Sequence, residues 1–147
     1  MTKTNIILLS VFIFIIVILI VIKSIKSRGT KVSSENSKNK SSTQENDGGN
    51  VKITVTPKTL TVGEKPSFDV VFETHSVDLT FDVAQISSLV DDKGKIFNQS
   101  VWEGSEPGGH HREGILTFNT VLSETKFVEL IIRNMVGVAE RKFKWNR

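Results

Sequence analysis

Two hydrophobic patterns divide the chain. From Ile6 to Ile22 it is a 17-residue apolar run broken only by Ser10, followed at once by Lys23, Lys26 and Arg28. At 1.5 Å per residue a helix of this length covers about 25 Å, close to the roughly 30 Å hydrocarbon layer of a bilayer. Lysine stems that snorkel at its ends can make up the difference. The β-branched stretch Ile15–Ile18 disfavours helix in water, but in lipid the backbone must satisfy itself within the segment, so helix is expected there. No small-residue cleavage site follows, and the apolar stretch is long for a secretory signal. Residues 1–28 therefore read as a retained single-span anchor that meets membrane lipid through residues 6–22.

From residue 51 the pattern changes to alternation. Val51, Ile53 and Val55 alternate with Lys52, Thr54 and Thr56, and Pro57 is expected to end the run. Phe68, Val70 and Phe72 repeat the period, as do Leu79, Phe81 and Val83. Asp91-Asp92-Lys93-Gly94 predicts a turn joining Ile86–Val90 to Lys95–Phe97 as a hairpin. Gly114–Thr120 carries Leu116 and Phe118, and Phe127–Ile132 is apolar enough for a central strand. In the last segment Arg141, Phe143 and Trp145 point one way and Glu140, Lys142 and Lys144 the other. A period of two marks half-buried strands. About seven such strands in residues 51–147 predict an all-β, immunoglobulin-like β-sandwich. Trp102, Phe118 and Trp145 are its expected core aromatics.

Between the two lies different material. Thr30 to Asn50 is built of Ser, Asn, Lys, Thr, Gln, Glu, Asp and Gly, with Val32 as its one larger apolar residue. Such a stretch buries too little apolar surface to offset its conformational entropy. Residues 29–50 are expected to be a flexible linker, leaving 51–147 as the domain.

Charge changes the picture in one respect. The net charge is +3, yet residues 51–147 hold 12 Lys and Arg against 13 Asp and Glu. The excess belongs to the first 50 residues, so no basic face of the domain points to nucleic acid. The absence of cysteine excludes disulfides, thiol catalysis and thiolate-bound metal.

The candidate chemistry lies with three histidines. His75 sits in Thr74-His75-Ser76-Val77-Asp78-Leu79, and His110 and His111 follow Gly108-Gly109. Loops at one end of a sandwich can bring such residues together, and imidazoles with Asp78 or Asp82 suit Cu(II), Zn or Ni. The competing expectation is structural and ranks first. Loop imidazoles fix turns, Arg112 pairs with Asp78, Asp82 or Glu113, and Arg141, inward by pattern, needs an acidic partner. A hydrolase ranks last: Ser76 and Ser105 stand in no G-x-S-x-G context.

Several short motifs occur together: Thr74-His75-Ser76-x-Asp78-Leu79, Trp102-x-Gly104, Gly109-His110-His111-Arg112-x-Gly114 and Glu140-Arg141-x-Phe143-x-Trp145. In these the chain resembles an uncharacterised family of prokaryotic secreted, lipoprotein or membrane-anchored all-β domains. The resemblance implies a fold and a location, with no established activity. Taken alone, the basic residues after the apolar run place the C-terminal side in the cytoplasm. The resemblance implies the opposite, a domain outside the membrane.

The expected function is a non-enzymatic, membrane-anchored, extracytoplasmic domain with a binding or structural role in the cell envelope, meeting an envelope protein partner. The alternative is a copper- or zinc-binding domain with His75, His110, His111 and Asp78 as ligands. Trp102, Arg112, Arg141 and Trp145 are the expected structural motif.

Overall fold

A computed structural model describes residues 42–147. The expected anchor, residues 1–28, and residues 29–41 of the expected linker lie outside the described residues. Among the described residues no helix is long and apolar enough to cross a membrane.

Among the described residues nine strands form two antiparallel sheets, packed as a β-sandwich. They are β1 (Gln44–Gly48), β2 (Val51–Thr59), β3 (Ser67–Thr74), β4 (Ser87–Asp91), β5 (Ile96–Phe97), β6 (Ser100–Gly104), β7 (His111–Phe118), β8 (Phe127–Met135) and β9 (Val138–Asn146). One sheet runs β1-β2-β3-β7-β6, the other β5-β4-β8-β9. Alternation decides which side chains enter. Val51, Ile53 and Val55 from β2, Phe68, Val70 and Phe72 from β3, and Leu116 and Phe118 from β7 face Leu89, Leu130, Ile132, Phe143 and Trp145 of the other sheet, all buried. Phe68 anchors the contact, 5.2 Å from Trp145 and edge-on to Phe118 at 6.2 Å.

The sandwich has two unlike ends. At one lie Ser42, the 60–66 connection, the β4–β5 turn, the 119–126 connection and Arg147. Hydrogen bonds join these pieces: Gly63 N to the Leu122 carbonyl at 2.9 Å, Thr125 Oγ1 to Asp92 Oδ1 at 2.5 Å, and Arg147 N to the Lys126 carbonyl at 2.9 Å. This is the terminus end. At the other, the histidine end, lie the β1–β2 and β8–β9 turns and the 75–82 and 105–110 segments.

Along one side the two sheets are stitched by side chains. Gln44 on β1 donates to the Lys144 carbonyl at 2.5 Å and accepts from the Lys144 N–H at 3.1 Å, so its amide imitates a neighbouring strand. The Trp145 indole donates to the Ser42 carbonyl at 2.7 Å, and Arg141 reaches the Gly48 carbonyl at 2.6 Å. Four bonds thus bind edge strand β1 and the residue Ser42 before it to edge strand β9 without a backbone ladder, which keeps both edges from recruiting another chain.

The structure departs from the sequence reading in several places. Residues 44–48, expected to end the linker, form β1, in register from Gln44↔Val55 to Gly48↔Val51. Its polar side chains give no hydrophobic signal, and hydrogen bonds hold it instead. Pro57 does not end β2, which continues to Thr59 with a register shift between Pro57 and Thr59. β1 pairs no further than Val55, so at Pro57 the strand is locally an edge, where a missing N–H costs little. Leu79–Val83 is not a strand. Asp82 accepts from Ala84 N at 2.9 Å and Gln85 N at 3.2 Å, capping a single helical turn, α1 (Val83–Ile86). β6, with only one apolar residue besides its tryptophan, was not expected. The β4–β5 hairpin and the inward Arg141-Phe143-Trp145 face of β9 agree with the sequence reading.

Arg141 and Arg112 do not take acidic partners; both are buried against carbonyls. The Arg141 fork donates to Met135 at 3.0 Å and to Gly48. These carbonyls stand just before the two-residue turns Val136–Gly137 and Gly49–Asn50, whose central residues all have positive φ. Val136, β-branched at φ 48°, is the strained member. One guanidinium therefore clamps a strained turn in one sheet to a turn in the other.

Arg141→Met should remove both clamps and leave two carbonyls without their charged donor, lowering stability by roughly 2–4 kcal/mol in urea unfolding. Arg141→Lys should recover little of it, since an ammonium cannot fork to two acceptors. The Asp92 carboxyl is held below its ordinary value, chiefly by the Thr125 hydroxyl. Its folded value being the lower, its stabilising contribution is whole above the unfolded carboxyl pKa of about 4 and is lost as pH falls through the folded value. Thr125→Val should raise the Asp92 titration midpoint, followed by carboxyl NMR.

Candidate functional site

The motif residues gather at the histidine end, and most are consumed in building it. Trp102 on β6 and Arg112 on β7 both point inward, two residues before Gly104 and Gly114 respectively. Gly104 and Gly114 are register partners. A Cβ on Gly114 would stand 2.6 Å from the Gly104 Cα and 2.8 Å from Trp102 Cζ2. The indole thus lies across a bare two-glycine platform, donating its N–H to the Ser105 carbonyl at 3.1 Å. Here the spacings W-x-G and R-x-G have a physical meaning: alternation puts the glycines on the same face as the large side chains that must cover them.

Arg112 fills the space next to the platform. It is 1% exposed, and its Nη1 donates to the carbonyls of Leu79 at 3.0 Å and Phe81 at 2.6 Å. Nη2 donates to the Ser105 carbonyl at 3.2 Å. The guanidinium carbon lies 5.2 Å from the centre of the Phe81 ring and 5.9 Å from that of Trp102, so aromatic faces supply part of the compensation for its charge. Burial pulls its pKa below the ordinary arginine value, and Asp82 and Glu106 oppose that pull from a distance. Burial lowers Arg141 in the same way. The Arg112 bonds tie the segment before α1 to the 105–110 loop. Leu79 then pairs with Gly108 and Gly109 through its own backbone, at 2.9 and 3.0 Å.

The histidines and Asp78 are placed differently. Asp78 accepts from Gly109 N at 2.6 Å and so fixes the Gly108-Gly109 bend. His75 and His110 are exposed, and the His110 carbonyl accepts from Thr74 N at 3.0 Å. His111 opens β7 opposite Glu73 of β3. Its Nδ1 is 3.9 Å from Glu73 and its Nε2 3.6 Å from Glu113, a ring laid between two carboxylates on the outer sheet face. The two nitrogens address different partners. Among the described residues no three His, Asp or Glu side chains are grouped as a metal site.

Four contributors were given no such role from the sequence. Ser105 accepts from both Trp102 and Arg112 and bonds Glu113 through its hydroxyl; Phe81 covers the guanidinium; Glu73 faces His111; Gly48 receives Arg141. Only backbone carbonyls of Ser105 and Gly48 are used by the arginines, and no residue type announces a carbonyl.

Gly114→Ala should drive a methyl into the Gly104 backbone and lift the indole. A stability loss of about 2–3 kcal/mol and a red shift of tryptophan emission are expected, both read in one fluorescence-monitored urea titration.

No family model, curated protein or solved structure matches the chain.

Proposed function

We propose that the chain is a non-enzymatic, membrane-held module whose immunoglobulin-like sandwich stands outside the membrane and serves a binding or structural role in the cell envelope. The fold part rests on strand order. β2-β3-β7-β6 facing β5-β4-β8-β9 follows the A-B-E-D against C′-C-F-G arrangement of immunoglobulin-type sandwiches, with β1 added at the edge. The membrane part rests on the apolar run 6–22.

One observation carries the non-enzymatic reading. The motif side chains Arg112, Arg141, Trp102 and Trp145 all bond to backbone carbonyls of their own domain. Asp78 is likewise committed to a turn. Catalysis needs a group whose capacity is left for a substrate; in these five residues that capacity goes into holding loops and strands. Rigid loops on a disulfide-free sandwich suit a surface that must keep its shape for a partner.

Protease added to intact cells tests the placement. Cleavage between residues 23 and 41, releasing a folded fragment that contains residues 42–147, is the expected result. Protection until lysis would put the domain inside, and full-length chain recovered without detergent in the aqueous fraction would remove the anchor.

A further inference from the structure

The terminus end of the sandwich carries a surface that the fold does not use. Among the described residues four large hydrophobic side chains are exposed: Val62, Ile96, Val101 and Val121, at 43%, 54%, 45% and 58%. All four lie toward this end. Val62 and Val121 flank the paired loops in which Gly63 N donates to the Leu122 carbonyl and Leu122 N to the Glu64 carbonyl. Ile96 opens β5 directly after the β4–β5 turn, and Val101 sits on the second rung of β6, opposite Thr117. Between Ile96 and the 119–120 segment is a shallow groove of about 260 Å³, lined by Lys95, Phe97, Asn98, Gln99 and Asn119 among others.

Charge is divided between the ends. The terminus end exposes Lys58, Lys65, Lys93, Lys95, Lys126 and Arg147 beside the acids Glu64, Asp69, Asp91, Asp92 and Glu124, six cations to five carboxylates, with Lys58 3.5 Å from Asp69. Asp91 accepts from Lys93 N and Lys95 N, both at 2.9 Å, and Asp92 accepts from Thr125. The histidine-end segments 75–82 and 105–110 hold Asp78, Asp82 and Glu106 and no lysine or arginine. A polarised domain orients in the field of a charged surface, its more positive end toward an anionic one.

Chain connectivity singles out one such surface. Ser42 lies at the terminus end, where its carbonyl meets Trp145. Only residues 23–41 separate it from the apolar run ending at Ile22. However these 19 residues are arranged, they cannot hold their ends more than about 65 Å apart. The lysine- and valine-bearing end is therefore the one at which the tether joins the domain, and the tether holds it near the bilayer at a high effective concentration.

We propose that the terminus end docks on the lipid surface. Val62, Val121 and Ile96 enter the headgroup boundary, and Lys65, Lys93, Lys95 and Lys126 meet anionic headgroups, leaving the histidine end facing away. Apolar side chains interleaved with lysines suit this chemistry, because the stems stay near the acyl boundary while the ammonium groups reach phosphate. This inference rests on the membrane-anchored reading above and adds to it an orientation.

The absence of cysteine makes the test direct. Full-length Val121→Cys, labelled with a polarity-sensitive fluorophore, is reconstituted into vesicles of phosphatidylcholine with or without phosphatidylglycerol. Ser76→Cys at the histidine end is the control. Docking gives a blue shift at position 121 in the anionic vesicles, diminished by high salt and by Lys65→Glu with Lys126→Glu, and none at position 76. The lysine variants are exposed, so an unchanged melting temperature verifies that they act on binding and not on folding. Equal spectra at 121 and 76, with the chain still sedimenting with vesicles, would overturn docking and leave the anchor standing. Chain remaining in the supernatant would overturn the anchored reading and docking with it.

Discussion

Two guanidinium groups are buried in this sandwich with no carboxylate to neutralise them, and the histidine end is arranged around that fact. A buried charge is tolerable only when oriented dipoles replace its water. Arg112 collects three carbonyls and two aromatic faces; Arg141 collects two carbonyls. Each carbonyl must be held where the fork can reach it, so the segments that present them cannot wander. The need of the charge and the order of the loops are one constraint seen from two sides.

The same economy explains how a domain of this size stays closed without disulfides. Between the sheets the core is ordinary apolar packing around Phe68, Phe72, Phe118 and Trp145. At the rims, where packing thins, polar side chains take over. Arg141 joins turn to turn, Gln44 and Trp145 join β1 to β9, and Arg112 joins the α1 approach to the 105–110 loop. Immunoglobulin-type domains often link their sheets by one covalent bridge through the middle. Here the links are distributed around the edge, which leaves the middle to hydrophobic contact.

Much of this was legible in the alternation of side chains. β2, β3, β7 and β9 were legible because each buries one face, β8 because it is apolar nearly throughout, and the inward position of Arg141 followed from the period of two. The turn at Asp91–Gly94 was legible because glycine and aspartate have local reasons to be there. What was not legible depends on partners distant in sequence. β1 is polar and exists only because β2 and β9 supply its bonds. Leu79–Phe81 alternates like a strand, but it is drawn out of the ladder by Arg112 and by the cap at Asp82. The expected salt bridges failed for a related reason: an arginine's need for a partner is visible in sequence, whereas a backbone carbonyl that meets it is not. The apolar run 6–22 lies outside the described residues and is known from sequence alone.

Strand β1 also sets how the domain would respond to being pulled. The chain enters it through Ser42, and its pairing with β2 turns back at Gly49–Asn50, so a load applied from the N-terminal side and across the strands meets the rungs in series. Gln44↔Val55 would part first and Gly48↔Val51 last. Strands loaded this way peel, one rung at a time, at far lower force than strands sheared along their length. Because β1 places no apolar side chain in the core, its detachment would lengthen the chain and leave the apolar packing in place, while breaking the Arg141 and Gln44 bonds to β9. The domain thus has a yielding first element, a mechanical fuse ahead of the folded body.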